Sequence, residues 1–322
     1  MVESNELDLT VTEVRTETPA IRSITLARAD GAPLPSWEAG AHINIVLRSG
    51  ERRSYSLVNP SGAPAATEHP LHYRLGVRLE NPSQGGSAFM HGLKVGDTIK
   101  ATPPTNNFPL RRGGDVVLLA GGIGITPILS MAAALTARRQ PFRLIYAARS
   151  RDQLAFLDEV QNLAGDKLTL HTDDDAGLFN VDALMRSLTG DEQLYVCGPG
   201  PMIDAAIAAA KTLGWRDGRL WFEIFSASAA KPGDAAFEVV LASTGASYLV
   251  PADKTILAAL LEAGVDAMYD CQRGECGICQ VGVIEGTPDH RDYILSDSEK
   301  SAGKLIQICV SRSKSPRLVL DL

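Results

Sequence analysis

Four cysteines near the C-terminal end of the sequence constrain its fold more than any other feature. Three of them, Cys271, Cys276 and Cys279, follow the pattern C-x4-C-x2-C, and the fourth, Cys309, comes from a separate segment. This is the ligand spacing of a plant-type 2Fe-2S cluster, in which one tight loop supplies three thiolates and a distant residue supplies the last. The spacing therefore predicts a domain built around such a cluster.

Two other uses of cysteine suit this spacing less well. A structural zinc site pairs two short hooks of the type C-x2-4-C or H-x3-5-H, and the sequence contains one such hook. Disulfide frameworks are typical of small secreted domains, whereas the start of this sequence lacks the basic and apolar segments of an export signal. Under the cluster interpretation we expect Gly274 and Gly277 to take positive φ angles, because the loop has to wrap around the metal centre.

The composition is that of an ordinary globular protein. Hydrophobic residues make up 45% and charged residues 21% of the 322 residues, a length that suits two or three domains. The formal net charge of -7 argues against a nucleic-acid partner or an anionic membrane surface, because both select basic faces. No uninterrupted apolar run reaches the length of a transmembrane helix. We therefore expect a cytoplasmic protein with neither a membrane nor a nucleic acid as a partner.

The pattern of apolar residues divides the chain into segments. Short alternating runs at 43–46, 54–57 and 72–77 are typical of strands in an antiparallel barrel or sandwich. After Pro103 and Pro104 the pattern changes to apolar strands alternating with helices, which predicts a parallel sheet with both faces covered. The later stretch SASAAKPGD has the composition of an inter-domain linker. The predicted segments are residues 1–104, residues 105–226, a linker at 227–234, and residues 235–322.

Two glycine-rich turns follow apolar strands of the predicted parallel sheet. The strand at 115–120 runs into GGIGITP (residues 121–127), and a second strand runs into CGPGPM (residues 197–202). Glycines let a diphosphate approach the backbone closely, and the helix after each turn offers unpaired amides. Each glycine-rich turn, taken alone, could instead be a tight structural turn. Two such turns at the carboxyl ends of parallel strands, however, form the crevice where such sheets bind ligands. Cys197 is expected to line this crevice rather than to fill a core.

Together these motifs resemble the ferredoxin-NADP reductase superfamily, and within it the phthalate dioxygenase reductase group. Members of that group carry flavin, nicotinamide and plant-type ferredoxin domains in this order, so the resemblance spans almost the whole chain. It implies a multi-domain fold with an antiparallel β-barrel flavin domain, an α/β parallel-sheet nicotinamide domain and an α+β ferredoxin domain of the β-grasp type.

The resemblance also implies which residues bind the flavin and the nicotinamide. RSYS (residues 53–56) is similar to the family's R-x-Y-S flavin motif, GGS (residues 85–87) to its flavin-phosphate loop, GGIGITP to its nicotinamide-binding turn, and CGP to the segment beside the nicotinamide ring. Arg53 suits a phosphate because its guanidinium forms a bidentate fork. Tyr55 either packs on the flavin ring or fills the core as a strand residue. The implied cofactor-binding residues are Arg53, Ser54, Tyr55, Ser56, Gly85, Gly86, Ser87, Gly121, Gly122, Gly124, Thr126, Pro127, Cys197, Gly198, Pro199 and Phe225.

Four of these residues are assigned to the reaction itself. Ser56 is expected to donate a hydrogen bond near the flavin N5, whereas Thr126, Cys197 and Phe225 are expected to align the nicotinamide. By resemblance, the ring of Phe225 covers the flavin face on which the nicotinamide must stack, and ordinary core packing is the alternative. Glu223, in the apolar strand LWFEI, either assists near the nicotinamide or positions its strand.

The resemblance implies FMN rather than FAD, and no adenosine platform is recognisable in the sequence to support FAD. The choice between NADH and NADPH depends on the residues that follow the second strand of the parallel sheet. There Asp152 suits the ribose of NADH, whereas Ser150 and Arg151 suit a 2′-phosphate. NADH is expected because members of the group typically use it.

These assignments predict an electron-splitting reductase. Hydride passes from NADH to the flavin, and electrons then pass singly through the cluster held by the four cysteines to an external acceptor, because no Rieske ligand set is evident in the sequence. By resemblance, the acceptor is the Rieske-type terminal oxygenase of an aromatic dioxygenase or O-demethylase system. One alternative is a different acceptor, either a soluble monooxygenase or a haem protein. The other is that the protein is a redox sensor without sustained turnover.

The third segment has features of a docking surface. It contains eight Lys and Arg against twelve Asp and Glu, so it is acidic. We expect Gln272, Arg273, Glu275 and Ile278 of the cluster loop to form part of the surface that the partner touches. We also expect a monomer, since the three redox domains are covalently linked.

Overall fold

The computed structural model describes residues 6–61, 63, 65–81, 83, 85–188, 190–216, 218–225, 231 and 233–322. The chain divides into two compact units, Met1–Glu223 and Ile224–Leu322. The predicted boundary after residue 104 falls inside the first unit. Most of the predicted linker at 227–234 lies outside the described residues, so the predicted domain limits stay predictions.

The N-terminal part of the first unit is a six-stranded antiparallel sheet in the order β4-β3-β6-β1-β2-β5. Its strands are β1 (Leu7–Thr18), β2 (Ile21–Ala27), β3 (His42–Val46), β4 (Arg52–Ser56), β5 (His72–Arg78) and β6 (Thr98–Ala101). The two edge strands meet just past β4, where Leu57 pairs with Leu75 and Val58 N donates to Arg74 O (2.8 Å). The sheet therefore closes into the predicted barrel.

The barrel core follows the alternation of the strands. Leu9, Ile24, Ile43 and Leu75 are fully buried, because every second side chain of a strand points to the same face. Two short helices lie in the connections, α1 (Ala65–Glu68) and α2 (Gly86–Gly92).

The C-terminal part of the first unit is a five-stranded parallel sheet in the order β11-β10-β7-β8-β9. Its strands are β7 (Val116–Gly121), β8 (Phe142–Ala148), β9 (Leu168–Thr172), β10 (Gln193–Cys197) and β11 (Leu220–Glu223). Its helices are α3 (Ile125–Ala137), α4 (Leu157–Ala164), α5 (Asp173–Ala176), α6 (Val181–Ser187) and α7 (Gly200–Thr212). All six residues of β7 are buried, as expected for a central parallel strand covered on both faces.

The strand order of this sheet determines where it can bind a ligand. The chain moves from β7 outward to β8 and β9 on one side, and β10 then returns to the other side of β7. A crevice forms at such a topological switch point, at the carboxyl ends of the two strands. The α/β parallel sheet is confirmed, and both predicted glycine-rich turns begin at this edge.

The second unit is a five-stranded mixed sheet in the order β13-β12-β18-β14-β16, crossed by one apolar helix. Its strands are β12 (Phe237–Leu241), β13 (Ser247–Val250), β14 (Gln280–Glu285), β16 (Leu305–Gln307) and β18 (Arg317–Asp321), with a separate pair formed by β15 (Pro288–Asp289) and β17 (Arg312–Ser313). Its helices are α8 (Ile256–Glu262) and α9 (Asp297–Ala302). Ile256, Leu257 and Leu260 bury one face of α8 in the core. The expected α+β ferredoxin fold is confirmed.

In the described part of the chain, none of these helices has both the length and the apolar character needed to cross a membrane.

Candidate functional site

The predicted flavin motif forms strand β4. Because side chains of a strand alternate, Arg53 and Tyr55 point to one face and Ser54 to the other, where its Oγ donates to Asn44 Oδ1 (2.6 Å). A Cβ on Gly86 would lie 2.8 Å from Arg53 Cγ and 3.1 Å from Tyr55 Oη. The predicted phosphate loop thus lies directly against the predicted flavin motif, and the contact leaves room for glycine alone.

The donors around this contact fit a flavin phosphate. Gly85 has φ of 92° and opens α2, and Ser87 Oγ lies 2.9 Å from Ser83 Oγ and accepts from Glu80 N (3.1 Å). The stem of Arg53 lies against this loop, and its partly exposed guanidinium pairs with Glu51 Oε2 (3.4 Å). A guanidinium and hydroxyl groups at one glycine-rich turn are the donor set that a phosphate monoester requires.

Tyr55 supplies an apolar surface beside the same loop. Burial raises the pKa of its hydroxyl to about 12, although the neighbouring Arg53 charge opposes that rise. The phenol is therefore neutral throughout the physiological pH range. A neutral aromatic ring suits the flavin ring that the motif implies, but its contact with flavin stays a prediction.

The two glycine-rich turns pack backbone to backbone. A Cβ on Gly124 would lie 2.0 Å from Cys197 O, and a Cβ on Gly121 would lie 2.6 Å from Pro199 Cδ. Gly122, between them in sequence, has φ of 55° and opens a short 3-10 turn before α3. The two turns thus lie side by side as expected, and the ligand crevice between them stays a prediction.

Two of the three side chains predicted to align the nicotinamide, those of Thr126 and Cys197, are buried where the two turns meet. Thr126 is 1% exposed, and its Oγ1 donates to Ile123 O (3.0 Å). Its methyl group packs on Gly76 of β5, where a Cβ would lie 2.5 Å from Thr126 Cγ2. Cys197, expected to line the crevice rather than to fill a core, is fully buried at the end of β10 and belongs to the hydrophobic core.

A buried carboxylate completes this site. Ser56 Oγ donates to Glu223 Oε2 (3.4 Å), and Glu223 pairs in register with Cys197 on the neighbouring strand. Ser56 and Glu223 are 5% and 2% exposed. The end of the flavin motif and the nicotinamide crevice therefore meet at these three residues. The single carboxylate in an otherwise apolar strand was the signal in the sequence, although it did not place Glu223 beside Ser56.

Phe225 belongs to the second unit and is 37% exposed. Its predicted role over the flavin face stays a prediction.

The four predicted cluster ligands lie together in the second unit, on the loop between α8 and β14 and just after β16. Cys271, Cys279 and Cys309 are buried, and Cys276 is half-buried. They form two pairs. Cys276 donates to the sulfur of Cys271, and Cys309 donates to that of Cys279, so in each pair the acceptor thiol has a lowered pKa and the donor thiol a raised one.

Two thiol pairs suit a cluster of two irons better than one mononuclear ion. In a 2Fe-2S cluster each iron takes two cysteine thiolates. The donor set therefore fits that cluster.

The backbone of the cluster loop is shaped around the sulfurs. Gly274 and Gly277 have φ of 77° and 79°, which confirms the prediction of positive φ, and Gln272 joins them at 54°. Arg273 N donates to Cys271 Sγ (3.3 Å), and the amide of Gly274 donates to the sulfur of Cys309. Amides directed at sulfur stabilise thiolates, which is the protonation state that iron binds.

Two cluster-loop residues expected on the partner-facing surface are turned inward instead. Arg273 Nε lies 3.0 Å from Glu275 Oε1, and both side chains are largely buried. Glu275 Oε2 also accepts from Ile224 N (3.2 Å), and burial raises the pKa of the Glu275 carboxyl. Gln272 and Ile278 are exposed as expected. An ion pair formed within the loop removes two charges from the surface that a partner can reach.

Comparison with known proteins agrees with this architecture. Residues 97–220 match the family model "Dimethylamine monooxygenase subunit DmmA-like, N-terminal domain", and residues 239–314 match the "2Fe-2S iron-sulfur cluster binding domain". The vanillate O-demethylase oxidoreductase of Pseudomonas sp. (strain HR199 / DSM 7063) is 42% identical over 98% of this chain and 100% of the relative.

Two solved structures have the same fold over nearly the whole chain. Phthalate dioxygenase reductase, described as a modular structure for electron transfer from pyridine nucleotides to [2Fe-2S], is 35% identical with a TM-score of 0.76, covering 99% of each chain. An intact type IV self-sufficient cytochrome P450 monooxygenase is 34% identical with a TM-score of 0.72, covering 98% of this chain and 41% of that one. Because this similarity extends over nearly the whole chain, this chain is a member of the phthalate dioxygenase reductase family of pyridine-nucleotide-dependent flavin and 2Fe-2S oxidoreductases.

Proposed function

We propose that this protein is the NADH-dependent reductase component of a Rieske-type oxygenase system, with FMN as its flavin. The observation that carries the proposal is the presence of a two-electron site and a one-electron site on one chain. Ser56, Glu223 and Cys197 meet where a flavin and a nicotinamide would stack, and the two cysteine pairs suit a 2Fe-2S cluster. Bound flavin supplies the conversion between hydride and single-electron chemistry.

The residues at the two-electron site bind and orient rather than transfer protons. Arg53 and the loop at Gly86 would hold the phosphate end of the flavin, and Ser56 would offer its hydroxyl to the ring. The buried carboxylate of Glu223 favours positive charge nearby, and positive charge develops on a nicotinamide as hydride leaves it. The tightly packed turns at Gly124 and Cys197 exclude water from the place where the rings meet.

The preference for NADH is supported by the turn after β8. Ser150 Oγ donates to Asp152 Oδ1, so the serine hydroxyl is directed to the carboxylate and not to a ligand. A carboxylate at this position accepts from ribose hydroxyls and repels a 2′-phosphate. Comparing kcat/KM for NADH and NADPH tests the preference, and a higher value for NADPH would contradict it.

The choice of FMN is supported by the family resemblance and by the phosphate cradle at Arg53 and Gly86, which suits the terminal phosphate of a mononucleotide. Mass spectrometry of the flavin released by denaturation decides between FMN and FAD.

A Rieske-type oxygenase as acceptor is supported by relatives that are named for vanillate O-demethylase and phthalate dioxygenase. The acidic second unit and the exposed Gln272 and Ile278 beside the cysteines suit a protein partner, and we propose that the chain acts as a monomer. A haem protein is the second candidate, because the self-sufficient cytochrome P450 structure contains a region like this whole chain.

One reconstitution experiment tests the proposal. The purified protein is mixed with NADH and either a purified Rieske oxygenase or a haem monooxygenase, and reduction of each acceptor is followed by its absorbance. We expect sustained, cluster-dependent reduction of the Rieske centre. Faster reduction of the haem would favour the second candidate, and the absence of turnover with cytochrome c or a dye would favour a sensor.

A further inference from the structure

Ser130 joins the two halves of the first unit through a single hydroxyl. It lies in α3 and is 3% exposed. Its Oγ donates to Leu57 O (2.7 Å) and accepts from Asn59 N (2.9 Å), and all three groups are buried. These bonds tie the helix that begins in the nicotinamide turn to the segment that leaves the flavin motif.

The position of Ser130 relates it to both cofactor sites. Residues four apart on a helix lie on one face, so Ser130 shares a face with Thr126 at the start of α3. The methyl group of Thr126 packs on Gly76 of the barrel. On the other side of the link, Leu57 directly follows Ser56. Ser130 therefore lies one helical turn from Thr126, and its acceptor Leu57 is the next residue after Ser56.

The segment that Ser130 holds lies between the barrel and α3. Leu57 and Asn59 come after the last residue of β4. On the barrel side, Leu57 N donates to Ala41 O (2.9 Å) and Val58 N donates to Arg74 O (2.8 Å). On the other side, the carbonyl of Leu57 and the amide of Asn59 are bonded to Ser130, so this hydroxyl sets how the segment lies against α3.

A second link holds the two halves together independently of Ser130. Arg74 of β5 bonds Glu17 Oε1 (2.9 Å) and Glu159 Oε1 of α4 (2.6 Å), and its guanidinium lies 4.9 Å from the centre of the Phe156 ring. Because this network anchors the barrel to α4, loss of the Ser130 hydroxyl should change the local spacing at the two sites without separating them.

We propose that Ser130 is a positioning residue that sets the distance and angle between nicotinamide and flavin during hydride transfer. The inference rests on the proposed function. In that step the C4–H bond of the dihydronicotinamide breaks, the hydrogen moves with its electron pair to the flavin, and NAD+ remains. Such a transfer is sensitive to geometry, and a misplacement of about 1 Å can cost on the order of 100-fold in rate.

The test uses three variants of the flavin-loaded protein. Ser130→Ala removes both bonds, Ser130→Thr restores a hydroxyl, and Ser130→Cys keeps the size with a weaker donor. Thr212→Ala is the matched control, since Thr212 Oγ1 donates to Ala208 O (2.9 Å) within its own helix α7. Stopped-flow reduction of the flavin at a series of NADH concentrations gives the limiting rate constant and the Kd for NADH.

We expect Ser130→Ala to lower the limiting rate constant by about tenfold or more while the Kd changes by less than about twofold, because binding is retained and alignment is lost. Ser130→Thr should recover most of the rate, and Thr212→Ala should match the wild type. If Ser130→Ala does not accumulate as folded protein, the limiting rate constant of Ser130→Cys should lie below those of the wild type and Ser130→Thr, and a rate equal to the wild type would overturn the proposal.

Hydrogen exchange of the holoenzyme without nucleotide gives a readout independent of turnover. The Asn59 amide should exchange faster in Ser130→Ala than in the wild type and recover its protection in Ser130→Thr. A limiting rate equal to that of the wild type in Ser130→Ala, or a rate in Ser130→Thr as low as in Ser130→Ala, would overturn the positioning role. A wild-type protein whose flavin is not reduced by NADH would instead overturn the proposed function on which the inference rests.

Discussion

Ser56 Oγ and Glu223 Oε2 lie 3.4 Å apart although 167 residues separate them in the chain. One residue ends the flavin motif on β4, and the other ends β11 beside the nicotinamide crevice. Their hydrogen bond is buried, so it is neither screened by salt nor exchanged with water. It marks a point where the barrel and the parallel sheet are joined, and it is where we propose that the two rings meet.

Glu223→Gln tests the charge at this place. The amide keeps an acceptor for Ser56 but removes the negative charge, so the positive charge that develops on the nicotinamide loses its stabilisation. We expect flavin reduction by NADH to slow by about tenfold to a hundredfold, because removing one preorganised electrostatic group typically lowers the rate constant by about this factor or more. Glu238→Gln on β12, whose side chain is 46% exposed, is the control. An unchanged rate in the Glu223 variant would show that the carboxylate only positions its strand.

Gly86→Ala tests the phosphate cradle. The added Cβ would lie 2.8 Å from Arg53 Cγ, so either the arginine or the loop has to move. Overpacking of this kind costs ~1–3 kcal/mol, and we expect flavin occupancy after purification to fall accordingly. Gly92→Ala in the same helix is the matched control, because a Cβ there meets nothing within 4 Å. Equal flavin content in the two variants, measured by absorbance, would contradict the cradle.

Gly124→Ala tests the contact between the two nicotinamide turns. Its Cβ would lie 2.0 Å from Cys197 O and 2.8 Å from Gly198 N, and these backbone atoms cannot swing aside as a side chain can. We expect a lower Tm and a Kd for NADH weaker by about tenfold or more, in line with overpacking costs of a few kcal/mol. Gly92→Ala in α2 lies outside both turns, meets nothing within 4 Å and should behave as the wild type in calorimetry and NADH titration.

Cys276→Ser tests the ligand assignment. Serine is a poor ligand for iron, and the variant loses the Cys276 thiol that pairs with Cys271. We therefore expect the EPR signal of the reduced cluster to disappear or fall strongly. Flavin reduction by NADH should persist, because the flavin motif lies in the other compact unit. Cys197→Ser is the control that keeps all four ligands and should keep the signal. A full 2Fe-2S signal in Cys276→Ser would exclude Cys276 as a ligand.

The features that the sequence predicted correctly depend on residues close together in the chain. The spacing of Cys271, Cys276 and Cys279 determines one loop, and the positive φ of Gly274 and Gly277 follows from the need to turn that loop inward. The alternation of apolar residues likewise determined which segments became strands and helices. Such local patterns carry their information within a few residues.

The features that the sequence did not predict depend on which elements pack together. Nothing near Ser130 in the sequence indicates that its hydroxyl bonds Leu57 and Asn59, and the motif around Arg273 and Glu275 suggested a surface rather than a buried ion pair. These outcomes arise because a buried polar group must find a partner wherever the folded chain brings one.

The sequence by itself determined the class of each fold and the spacing of the four cysteines predicted to bind the cluster, since these follow from short-range spacing and periodicity. Only the tertiary structure decided that Gly86 lies against Arg53, that Gly124 lies against Cys197 and that Ser56 meets Glu223. Those contacts join segments far apart in the chain, and close packing between such segments, rather than local propensity, fixes the distances on which electron transfer depends.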